Sequence, residues 1–175
     1  EGGGLRITSG APLLLSCVFQ GNSVGFGGKG GGIYAGGGSS LTAQSCVFRS
    51  NSISSSSTGG GGLETAGAPV TLINSIFAQN NPNGLQVASV DGSVIDNCTF
   101  TANAGYGIAF VSSNSNTVSN TILWGDSAGE LCTGVCLGTA GVMLGDMVLR
   151  RRDAWALPRH DDRLFVFAYF EGGWD

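Results

Sequence analysis

Charge is what this sequence has least of. Asp, Glu, Lys and Arg make up 11% of its 175 residues, and the net charge is −4. Residues 1–140 hold only three bases, Arg6, Lys29 and Arg49. A nucleic-acid surface needs a basic stripe, so that class of partner is excluded. Histidine occurs once, at His160. With one imidazole and no second cysteine pair at ligand spacing, no metal site is expected. No apolar run approaches the roughly 18 residues of a membrane-spanning helix. Helical periodicity is missing too. The shortage of charge does not make the chain disordered, because 42% of its residues are hydrophobic and can bury a core.

What is present in excess is glycine, 31 of 175 residues, where an ordinary chain has about 7%. It falls in a repeat. Leu85 to Ile108 is 23 residues, and so is Phe100 to Leu123. Gly-apolar pairs recur at Gly4-Leu5, Gly32-Ile33, Gly62-Leu63, Gly84-Leu85 and Gly107-Ile108. A second anchor recurs at Cys17-Val18-Phe19, Cys46-Val47-Phe48, Ser75-Ile76-Phe77 and Cys98-Thr99-Phe100, followed by Asn22, Asn51, Asn80 and Asn103. A period of about 20–25 residues means stacked units, none able to bury its apolar face alone.

Within each copy apolar residues alternate as in half-buried strands. One inward set is Leu5/Ile7, Ile33/Ala35, Leu63/Thr65, Leu85/Val87 and Ile108/Phe110. The next is Leu14, Ala43, Leu72, Ile95 and Val118. The third is Cys17/Phe19, Cys46/Phe48, Ser75/Phe77, Cys98/Phe100 and Thr121/Leu123. The pattern predicts an all-β solenoid, a single-stranded parallel β-helix of about five coils with three short strands each. Asn74, Asn97 and Asn120, with Ser45 and Ser16 before them, hold one bend position. They are expected to stack as an amide ladder. That would occupy Asn97, which otherwise begins the glycosylation sequon Asn97-Cys98-Thr99.

The copies are unequal at one corner. Asn80 to Gly84 is four residues, whereas Asn22 to Gly32 is ten and Asn51 to Gly62 is eleven. Insertions in a solenoid project on one face, often the binding face. Gly/Ser content also fits drift without function, the favoured reading of the two. If the corner binds, Phe26, Lys29, Ser55 and Thr58 are the candidate ligand residues. The best carboxylate pair for sugar chemistry is Asp91/Asp96, a weak catalytic candidate, since no Arg or Lys lies in that copy or its neighbours. Cys17, Cys46 and Cys98 read as small buried hydrophobes, with a Cys17–Cys46 bridge as the alternative. Cys132 and Cys136 form either a local disulfide or two free thiols.

From about Gly145 the composition changes. The division expected is a repeat domain over 1–145, a fragment of a longer solenoid, and a non-repeat tail over 146–175. The tail contains a plausible strand in Arg163–Phe170 and is read as a cap on the last coil, a truncated second domain or a junction with a following reading frame.

The Gly-Gly-Gly-Ile/Leu starts, the Cys-x-Phe-x-x-Asn ends and the closing Ile122-Leu123-Trp124-Gly125-Asp126 resemble right-handed parallel β-helices of pectin-lyase-like architecture. They are most similar to the repeat-rich bacterial surface proteins of polymorphic outer-membrane type. The resemblance covers about residues 2–140. It implies a secreted or surface-displayed protein, structural or adhesive, whose partner is a polysaccharide or a surface protein. The alternative is a polysaccharide lyase or glycoside hydrolase, and calcium would be a cofactor only for a lyase. The tail resembles the start of an exported family related to alkaline phosphatases and sulfatases, in which Asp175 would match a metal ligand.

Overall fold

The computed structural model describes residues 1–54 and 59–133, together with the backbone of two short strands at Val142–Leu144 and Met147–Leu149. The chain coils into three parallel sheets. The first holds Leu5–Ile7, Ile33–Gly36, Gly60–Ala66, Asn83–Ala88, Tyr106–Val111 and Gly129–Thr133. The second holds Leu13–Leu15, Leu41–Gln44, Val70–Ile73, Val94–Asp96 and Thr117–Ser119. The third holds Val18–Gln20, Val47–Arg49, Ile76–Ala78, Thr99–Thr101 and Ile122–Trp124. Each circuit of the three sheets is one coil. Five are described in full, and Gly129–Thr133 opens a sixth.

The register follows the repeat. Leu5 lies beside Ile33, Ile33 beside Leu63, Leu63 beside Leu85 and Leu85 beside Ile108. Leu14, Ala43, Leu72, Ile95 and Val118 align in the second sheet. In the third, Phe19, Phe48, Phe77 and Phe100 stack face to face, with ring centroids 5.2, 4.4 and 4.7 Å apart. Near-parallel stacked rings of this kind add to the area they bury. All three inward sets meet in one core.

The bends are as repetitive as the strands. Ser16, Ser45, Asn74, Asn97 and Asn120 all have φ between 49° and 55°. So the bend between the second and third sheets turns through one left-handed residue in every coil. The amide ladder expected there is only partial. Asn97 Nδ2 donates to Asn74 Oδ1 at 2.5 Å, but Asn120 Nδ2 donates to Asp96 Oδ1 at 2.9 Å. These side chains point into water, where nothing forces them onto one another.

The continuous ladder runs instead through the other asparagine column, after the third sheet. The backbone N–H and side-chain amide of Asn22 both donate to Asn51 Oδ1, at 3.0 and 2.9 Å. Asn51 donates likewise to Asn80 Oδ1, both at 3.1 Å, and Asn80 to Asn103 Oδ1, at 2.9 and 3.0 Å. Asn103 ends the run on Asp126 Oδ1, both at 2.8 Å. Each of the three central amides also donates to the backbone carbonyl of the preceding coil's Phe19, Phe48 or Phe77. Asn51, Asn80 and Asn103 are wholly buried. A buried bend has backbone groups that water cannot reach, and this column satisfies them.

The glycine before each first strand fits against that ladder. A Cβ on Gly32 would lie 2.5 Å from the Gly62 carbonyl oxygen and 3.2 Å from Asn51 Cγ. On Gly62 it would lie 2.5 Å from the Gly84 oxygen and 3.0 Å from Phe77 Cδ1. The recurrent glycine is a packing requirement of the neighbouring coil.

Candidate functional site

The long corner is more ordered at its start than its Gly/Ser content suggests. Ser23–Val24 and Ser52–Ile53 pair in parallel, so the excursion begins as a fourth, two-stranded sheet. Its glycine arms then return over the outer face of the first sheet. Arg6, Tyr34, Glu64, Gln86, Ala109 and Cys132 align in register on that face. Tyr34 is 9% and Glu64 4% exposed, although both sit on the outside of a strand.

Glu64 is the hub of this roof. Its Oε2 accepts from the backbone N–H groups of Gly30 and Gly60, both at 3.3 Å. Burial pushes its carboxyl above the usual range, and those two donors partly offset the rise. Gln86 Oε1 accepts from the Gly59 N–H at 3.0 Å and from Asn83 Nδ2 at 3.3 Å. Lys29 Nζ stands 5.9 Å over the Tyr34 ring centroid, within cation–π range. Phe26, at the tip of the same arm, is 88% exposed. Ser55 and Thr58 lie outside the described residues.

Asp91 and Asp96 are placed apart in role as well as in sequence. Asp91 is exposed, and its Oδ1 accepts from the backbone N–H groups of Asn114 at 2.7 Å and Ser115 at 3.2 Å. Asp96 Oδ1 accepts from Ser119 Oγ at 2.7 Å and from Asn120 Nδ2 at 2.9 Å. These bonds hold both carboxyls below the usual carboxylate range. Each acid therefore ties its own coil to the next. A general acid needs the opposite shift, toward the working pH.

The sequence did not single out Asp126 and Glu130, which end the ladder. Asp126 Oδ2 and Glu130 Oε2 are buried without a donor. Glu130 Oε1 accepts from the Gly125 N–H at 3.1 Å. Burial, with Glu130 close by, pushes the Asp126 carboxyl up to about 7. The signal available in the sequence was that Asp126 stands 23 residues after Asn103, as Asn103 does after Asn80.

Cys17, Cys46 and Cys98 are free thiols, the last two buried. The Cys17–Cys46 bridge offered by the spacing is not formed. Burial pushes the Cys98 thiol up to about 11. Cys132 is disulfide-bonded, and Cys136 lies outside the described residues, as do residues 150–175 with the expected strand and Asp175. Among the described residues no three His, Cys, Asp or Glu side chains cluster as metal ligands do, and no helix is long and apolar enough to cross a membrane.

A family model described as a right handed beta helix region matches residues 3–140. Searches of the curated proteins and of the solved structures found no match.

Proposed function

The chain belongs to the right-handed β-helix family, and on that premise we propose that it is a structural and adhesive β-helix, secreted or displayed on a bacterial surface, that binds carbohydrate at its long corner. The observation that carries this reading is the 88% exposure of Phe26, on the same arm as the Lys29 ammonium over Tyr34. A large aromatic held in water forfeits the stabilisation its burial would give. An aromatic face offers the apolar side of a sugar ring a surface, while the exposed Lys29 ammonium offers its hydroxyls a donor and any uronate carboxylate an opposite charge. The roof beneath, with Glu64 bonded to two glycine N–H groups, fixes the arm's return to the coil. An acidic polysaccharide suits Lys29 best; the flat faces of the solenoid suit a structural role.

Isothermal titration of the purified chain with acidic and neutral polysaccharides tests this. Phe26→Ala and Lys29→Ala should each weaken binding about tenfold, the size of losing one good contact, with far-UV circular dichroism unchanged. Absence of binding to every polysaccharide would reduce the role to a spacer. Release of new reducing ends or unsaturated products, with or without calcium, and its loss in Asp91→Ala or Asp96→Ala, would replace the proposal with a hydrolase or lyase.

A further inference from the structure

One column of the third-sheet edge reads Cys17, Cys46, Ser75, Cys98, Thr121 through five coils. Val18 lies beside Val47 in register, so Cys17, one residue earlier, lies beside Cys46. The Val47 N–H donates to the Cys17 carbonyl at 2.9 Å, which fixes the backbones at that step. Neighbouring parallel strands are about 4.8 Å apart, inside the roughly 4.4–6.8 Å Cα range of a disulfide. The sulfurs approach as well. Cys46 Sγ lies between the coils, donating to its own coil's Gln44 carbonyl at 3.4 Å and to the first coil's Leu14 carbonyl at 3.6 Å. Cys17 Sγ donates to the Leu15 carbonyl at 3.4 Å, the residue next to Leu14, so both thiols bond to the same stretch of the first coil. Cys46 is wholly buried, but Cys17 is half-buried and offers the entry point.

We propose that Cys17 and Cys46 are a cross-linking site, which a disulfide oxidant closes into a staple between the first and second coils. The Cys17 thiolate attacks one sulfur of oxidised glutathione, and one glutathione thiolate leaves. The Cys46 thiolate then attacks Cys17 Sγ, forming the Cys17–Cys46 bond and expelling the second glutathione thiolate. Two thiol protons and two electrons pass to one oxidised glutathione, which becomes two reduced molecules. Burial raises the Cys46 thiol, so the second step limits the rate and quickens as pH rises. Cys98 is an internal control. Ser75 separates it from Cys46, so those two sit two rungs apart, at roughly 9–10 Å, beyond bridging range.

The test incubates the full chain with oxidised glutathione at pH 8, alkylates it in denaturant, and maps the peptides by mass spectrometry. A linked Cys17–Cys46 peptide, lighter by two hydrogens, with Cys98 alkylated, is the expected result. It should come with a raised melting temperature that reductant reverses. Glutathione retained on Cys17 with Cys46 alkylated would overturn the proposal, as would both cysteines recovered alkylated. In Cys17→Ser, Cys46 should remain fully alkylatable; its loss to oxidant in that variant would show that Cys17 is not its partner.

Discussion

Asn80 and Asn74 belong to the same coil and differ in what they hold. Asn80 is wholly buried, accepts from both the backbone and the side chain of Asn51, and donates to Asn103 and to the Phe48 carbonyl. Removing it strands several buried groups at about 1–3 kcal/mol each. Asn80→Ala should therefore cost at least about 3 kcal/mol in urea unfolding. Asn74 is exposed, and its backbone sits at φ 50°, which glycine adopts freely. Asn74→Gly should stay within about 0.5 kcal/mol of the parent. Equal losses in the two variants would mean that the buried ladder carries no special weight. At the ladder's end, Asp126→Asn keeps the acceptor for Asn103 and adds a donor toward Glu130. It should raise the melting temperature at pH 8 and leave it nearly unchanged at pH 4.

The same contrast holds for glycines along an element. A Cβ on Gly62 would run into the next coil, whereas one on Gly25 would meet nothing within 4 Å. Gly62→Ala should cost about 2 kcal/mol or more by overpacking, and Gly25→Ala about 0.5 kcal/mol or less, measured by thermal melts followed by circular dichroism. The strands themselves were legible in the sequence. Their inward residues alternate with period two and return at a fixed offset, so Leu63 and Leu85, or Phe77 and Phe100, could be paired before any coordinates. The direction of the asparagines was not legible. Asn is a turn former whether it faces water or core, so composition could not tell the Asn74 column from the Asn80 column. The roof over Glu64 was visible only as extra length, because glycine and serine carry no pattern that says where an arm returns. Lys29 and Phe26 could be named from the corner, but their neighbour Tyr34 looked like any outward strand residue.

Over the whole molecule the carboxyls divide into two groups with opposite pH effects. Glu64 and Asp126 are raised by burial. The stability each contributes is fully present below its unfolded value, 4.5 or 3.8, and is lost as pH rises through the folded one, about 7 for Asp126. Asp91 and Asp96 are lowered by hydrogen bonds. Their contribution is present above the unfolded value of 3.8 and is lost as pH falls through the folded one. The melting temperature should peak in mildly acidic solution, at about pH 4–6, and fall toward pH 8. A profile that climbs steadily to pH 8 would contradict the burial of Glu64 and Asp126. The buried ladder has one more consequence, at the scale of assembly. In each of its four links the backbone and side-chain donors lie on the lower-numbered coil and the acceptor on the higher. These links give the column a direction along the axis, and the three central amides add a return bond to the preceding coil's Phe carbonyl, so each coil offers donors on both of its sides. Two such columns continue both sets of bonds, Asn to the following oxygen and Asn back to the preceding Phe carbonyl, only when they join head to tail.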